Sequence, residues 1–190
     1  MVYKNKDSKR NKYYYKKLIF SLLLIIYITG LCTGCLFALK NTDNLHFVQK
    51  VMFIEKYINN ENMLFSGQYI TFLSRDLLCL IIITLLKYCG LMKGLCAIVP
   101  FVMSAQNAGL YVILMYKNKI SFFKIIFEVM LKDTAVSFII ILYCYIIIQE
   151  IRICKENHKK DIKRMLVYIS GIISVYVIDM VVKSFILPLH

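Results

Sequence analysis

The sequence predicts an all-α, polytopic membrane helix bundle of about five transmembrane helices, with short interfacial amphipathic helices between them. Three observations carry this. The 190-residue chain is 59% hydrophobic with a mean hydropathy of +0.65, whereas a soluble domain is about 45–50% apolar. Several apolar runs reach the roughly 20 residues with which a helix crosses about 30 Å of hydrocarbon. Lysine and arginine gather beside those runs, as topology anchors do. The net charge of +13 therefore points to anionic lipid headgroups and away from nucleic acid.

Residues 1–17 form a basic cytoplasmic tail, with Lys4, Lys6, Lys9, Arg10, Lys12, Lys16 and Lys17 set against Asp7. The rest, residues 18–190, is a single integral membrane domain. Its first span covers residues 18–39 and is read as a retained anchor rather than a cleaved signal peptide, because more spans follow. Gly30, Gly34 and Ala38 recur every four residues, which puts three small residues on one helix face where another backbone can approach.

Residues 40–76 are the longest polar connection. Phe47, Val48, Val51, Met52, Ile54 and Ile58 alternate with Gln49, Lys50, Glu55 and Lys56 at helical spacing, the pattern of a helix lying on the membrane surface. The second span covers residues 70–92, with Arg75 and Asp76 near its outer interface. The third covers residues 94–116 and holds Pro100, Ser104, Gln106, Asn107 and Gly109 in its middle. Pro100 lacks a backbone donor and is expected to kink it. Such polar groups face other helices or a wet cavity. A four-span arrangement, with spans two and three re-entrant, is the alternative.

In residues 117–133, Lys124, Glu128 and Lys132 are spaced by four and read as a polar stripe facing water, with Glu128 and Lys132 in the favoured order for a helical ion pair. A short interfacial or re-entrant helix fits. The fourth span covers residues 134–148, a second basic loop follows at residues 149–164, and the fifth span covers residues 165–187. Five spans place the N-terminus in the cytoplasm and the C-terminus outside a bacterial cell membrane.

Within the last span Asp179 and Lys183 lie one turn apart. Intramembrane charges are functional candidates; mutual neutralisation is the plainer reading. Cys32-x-x-Cys35 resembles a redox pair, but no αβ pattern surrounds it. Such thiols are activated at helix N-termini, whereas these sit near the end of a span, and seven cysteines are too odd a number to pair internally. His46, His158 and His190 are scattered. No phosphate-binding loop, dinucleotide fingerprint or metalloprotease motif is present. The expectation is a chain with no catalytic activity, cofactor or metal.

With these residues in view, the chain resembles a divergent member of the stage II sporulation protein M family of small five-span bacterial membrane proteins. The likeness rests on Gly30-x-x-x-Gly34 and the long connection after it, and on Asn107-Ala108-Gly109 where the family often has an Asn-Gly step. It also rests on Glu128 where many members carry a glutamate, and on Ser184 to Pro188 as the closing stretch. Lys124 and Ile125 stand in place of the family's His-Gly, and Lys183 in place of a frequent acid. The resemblance implies a membrane anchor for cell-wall hydrolases. Relatives that accompany circular-bacteriocin clusters imply an accessory subunit for peptide export or immunity alongside an ABC-type ATPase.

Overall fold

A computed structural model describes residues 3–51, 67–88, 95–116, 122–153 and 158–186. Every described residue except Asn41 is helical, and no strand occurs among them. The chain is an all-α bundle and a multi-pass membrane protein. Its main helices are α1 (Tyr3–Lys40), α2 (Leu45–Val51), α3 (Gly67–Tyr88), α4 (Ile98–Tyr116), α5 (Phe122–Ile125), α6 (Leu131–Ile153) and α7 (His158–Ile186).

Among the described residues, four helices contain stretches long and apolar enough to cross a membrane: Tyr14–Lys40, Leu95–Tyr116, Leu131–Glu150 and Lys160–Ser184. The expected second span, residues 70–92, is described only as far as Tyr88 in α3 and is not one of them, so the count among the described residues is about four rather than five. Arg75, Asp76 and Lys87 all fall within its described stretch and interrupt its apolar run. At 22 residues α3 is nonetheless about 33 Å long, and it packs beside α4, α6 and α7.

The side-chain bonds fix the direction of each helix. Gly34 lies on Ala105 and Gly30 on Phe101, so α1 and α4 run parallel. Tyr111 meets Asp133, and Cys144 meets Cys96, so α6 returns antiparallel to α4. Arg164 meets Glu150 and Tyr168 meets Tyr143, so α7 reverses again. Arg75 meets Asn107, and Cys96, in the turn before α4, meets the Ile83 carbonyl, so α3 runs antiparallel to α4. The start of α1 and the end of α7 therefore lie at opposite ends of the bundle.

The α1–α4 crossing depends on glycine. A Cβ on Gly30 meets Ser104 Oγ and comes to 2.5 Å from the Phe101 carbonyl oxygen. A Cβ on Gly34 meets the Ala105 carbonyl oxygen and comes to 2.7 Å from its Cα. The obstructing atoms are mostly backbone and cannot rotate away. Ala38, one turn further on, is fully buried.

Pro100, expected in the helix interior, lies near its start. It stands in the first turn of α4, directly after the 3₁₀ turn Leu95–Ala97, where a missing donor does little harm. Asn41 closes α1, its Nδ2 donating to the Phe37 carbonyl at 2.7 Å. Asn44 Oδ1 accepts from the Phe47 amide at 3.2 Å and caps α2. The expected surface helix is described only as far as Val51; residues 52–58 lie outside the described set. Within it Val48 and Gln49 are buried while Phe47 is exposed. α2 therefore folds against α1 and α4 instead of sorting polar from apolar residues as predicted.

The interfacial helix expected before the fourth span is continuous with it. α5 passes through a π-turn, Ile126–Met130, directly into α6, and the Leu131 amide donates to the Ile126 carbonyl. The wider turn rotates the register. Phe123, Phe127 and Leu131 face outward, and Lys132 is buried at 6% exposure, so the predicted water-facing stripe is not formed at Lys132.

Gly34→Val is predicted to force α1 from α4 and destabilise the fold by about 1–3 kcal/mol, the usual range for overpacking. At Gly171 an added Cβ meets only Ile139 Cδ1, at 3.8 Å, and Gly171→Ala is predicted to stay within about 0.5 kcal/mol. Thermal unfolding in detergent, read by a thiol-reactive dye on the buried Cys96 and Cys144, checks both.

Candidate functional site: two ionic layers inside the bundle

The third turn of α3 brings Arg75 and Asp76 into the bundle rather than to an interface. Asp76 is fully buried, and the Arg75 side chain is 10% exposed. Arg75 Nη2 stands 2.9 Å from Asp76 Oδ1, and its Nε donates to the same oxygen at 3.0 Å. The other Asp76 oxygen accepts from Tyr176 Oη of α7 at 2.6 Å. Arg75 Nη1 donates to Asn107 Oδ1 of α4 at 2.9 Å. One carboxylate and one guanidinium thus join three helices.

A second pair lies beside the first. Tyr111 Oη donates to Asp133 Oδ2 at 3.0 Å. Lys132 Nζ lies 3.6 Å from Asp133 Oδ1 and sits over the rings of Phe72, at 4.6 Å, and Tyr176, at 4.8 Å. Arg75 is 5.3 Å from the same Phe72 ring. Electron-rich ring faces stabilise a cation that has lost its water. The two cations and two anions of this layer cancel in charge.

A second layer closes the opposite end of α3. Lys87 Nζ contacts Asp161 Oδ2 at 2.5 Å and Glu150 Oε2 at 3.1 Å. Arg164 Nη1 contacts Glu150 Oε1 at 2.5 Å, and Tyr88 Oη donates to Asp161 at 2.9 Å. One turn inward, Thr84 Oγ1 and Tyr143 Oη share a hydrogen bond of 2.6 Å. Between the layers lie Leu80, Ile83, Ile140 and Ile172, each fully buried. Asp76 and Lys87 are 11 residues apart, about 16 Å along a helix, and the middle of that interval is hydrocarbon.

Of the residues singled out from sequence, Asn107 enters the first layer, while its neighbour Gln106 is only half-buried. Gly109 is buried in α4. Lys183 and Asp179 form their own pair, 2.7 Å apart. Glu128 belongs to the π-turn by its backbone, but its side chain lies outside the described set, as does all of Pro188. Cys32 is exposed and Cys35 half-buried on an unbroken helix, so neither sits at a helix N-terminus. Among the described residues no group of three His, Cys, Asp or Glu side chains is placed to hold a metal.

Tyr111, Lys132, Asp133 and Tyr176 belong to the first layer, but their sequence pattern does not announce it. The available signal is height: in antiparallel spans, Tyr111 and Tyr176 fall level with the charges of α3 and α6. The chain matches no family model, no curated protein and no solved structure.

Asp76→Leu strands Arg75 without its principal counterion, and breaking a buried pair this way typically loses about 3–5 kcal/mol. The double change Arg75→Leu with Asp76→Leu is predicted to recover much of that, because no unpaired charge is left. Unfolding midpoints of the two variants, compared with the unaltered protein, decide it.

Proposed function

We propose that this chain is a membrane-embedded scaffold, without catalytic chemistry of its own, that holds envelope-remodelling partners at the bacterial cell membrane. The observation that carries this reading is the pair of ionic layers with hydrocarbon between them. Arg75, Asp76, Asn107, Tyr176, Lys87, Glu150 and Asp161 bond to one another across helices, and the apolar Leu80, Ile83, Ile140 and Ile172 are fully buried between the layers. Such an interior fixes helix positions and does not favour passage of a polar substrate. A fixed body suits a protein whose work is to present surfaces.

The resemblance to stage II sporulation protein M supports cell-wall hydrolases as the partner class. The basic tail and the basic residues around the start of α7 support a cytoplasmic N-terminus, and the opposite placing of the start of α1 and the end of α7 supports a C-terminus outside. A second reading, an accessory subunit of a peptide export or immunity system, shares this architecture and differs in its partner, an ABC-type ATPase.

Gentle-detergent pull-down of the tagged, cross-linked protein from growing and from sporulating cells tests the proposal. Cell-wall hydrolases are expected, in sporulating cells only. Capture of an ABC-type ATPase or a peptide precursor would replace the scaffold reading with the export reading. A homo-oligomer with neither partner would overturn both.

A further inference from the structure

α3 carries too much charge to pass as a span by composition, yet its side chains are sorted by face. Ile70, Ser74, Leu78, Ile81, Leu85 and Tyr88 run along its exposed side. They recur every three or four residues and so form one stripe along the helix. Ser74 is the small polar member of the stripe, and its Oγ donates to the Thr71 carbonyl of its own helix at 2.8 Å. Tyr88 stands at the end of the described stretch, where aromatic residues gather at a membrane interface. The charges lie on the other side. The side chain of Asp76 is fully buried, and those of Arg75 and Lys87 are 10% and 4% exposed. All three bond to residues of the neighbouring helices.

Apolar outside and charged inside is the reverse of a helix on a soluble protein, where such a stripe would be a long exposed apolar patch. Mean hydropathy weighs both sides of a helix together, whereas a bilayer meets only the outer one. α3 has the length to cross: its 22 residues cover about 33 Å against about 30 Å of hydrocarbon. It also stands upright. Arg75 near one end reaches Asn107 and Ile83 near the other reaches Cys96, so α3 lies along α4 and not across the end of the bundle. Its outer stripe adjoins α7, whose Ile173 and Val177 are exposed within a stretch apolar enough to cross. Exposed hydroxyls on the other spans behave as Ser74 does. Thr29 of α1 and Ser174 of α7 each donate to their own backbone at 2.8 Å.

We propose that α3 crosses the bilayer beside α4 and α7, with its outer stripe against lipid acyl chains and Arg75, Asp76 and Lys87 carried across on its inner side. Hydrocarbon is the occupant that this face fits. The stripe bears no charge to attract a protein partner, and its one small hydroxyl is already bonded.

Carbene labelling of the intact protein in lipid nanodiscs tests this. The probe is a phosphatidylcholine with a diazirine midway along one acyl chain, and adducts are located by mass spectrometry after digestion. Ile28 of α1 and Ile173 of α7, both exposed, serve as references on the other spans. Leu78, Ile81 and Leu85 are expected to be labelled as strongly as these references, and the buried Leu80 and Ile83 of the same helix several-fold less. Labelled references with an unlabelled α3 would mean that water or a protein covers this face, and would overturn the proposal. Equal labelling of Leu80 and Ile83 with Leu78 and Leu85 would overturn it too, because the inner side would then meet lipid as well.

Discussion

An ionised side chain inside a membrane bundle cannot recover the hydration it gives up. Insertion scales place that loss at about 2.5–3.5 kcal/mol for Arg or Asp at a helix centre. Arg75 and Asp76 meet this constraint by pairing with each other and then recruiting Asn107 from α4 and Tyr176 from α7. The remaining geometry is consistent with that demand. α4 must present Asn107 at the height of Arg75, and α7 must present Tyr176 at the height of Asp76. Lys87 imposes the same kind of demand at the other end, where Asp161 and Glu150 answer it. Hydrogen bonds across membrane helices average only about 0.6 kcal/mol each. Their importance here is register: a helix that slides by one turn leaves a charge without its partner.

Close packing supplies what polar bonds do not. The lipid tail is as apolar as a leucine, so no hydrophobic term draws one span to another, and contact depends on fit. Gly30 and Gly34 let α1 approach the backbone of α4. The α1–α4 pair then offers Asn107 and Tyr111 to the group formed by α3, α6 and α7. Tyr111 and Asn107 are thus among the side chains through which a packed pair is joined to an ionic one.

Much of this architecture is legible in the sequence because hydropathy and helix length are local properties. The apolar stretches of α1, α4 and α7 begin and end within a few residues of their expected positions, and the small-residue face of α1 follows from spacing alone. What depends on a neighbour is not legible. Arg75 and Asp76 read as interface residues because charge near a span end usually reaches water, and only the opposing helices reveal their burial. Gln106 and Asn107 are equivalent as letters, yet α4 turns only Asn107 fully inward. The stripe at Lys124, Glu128 and Lys132 assumes 3.6 residues per turn. The π-turn Ile126–Met130 breaks that assumption, and Lys132 arrives among Phe72, Tyr176 and Asp133 instead of facing water. No spacing rule anticipates a π-turn, although such turns often accompany functional positions.

The central claim is that Asp76 and Tyr176 bind α3 to α7 through an energetic contact between those two side chains. A double-mutant cycle with Asp76→Asn, Tyr176→Phe and the combined variant, followed by unfolding in detergent, measures that contact with the backbone unchanged. The account predicts a coupling of about 0.5–3 kcal/mol, the range for residues within one hydrogen-bonded network. Additive losses, with no coupling beyond error, would mean that the two helices are held by packing alone and would contradict it.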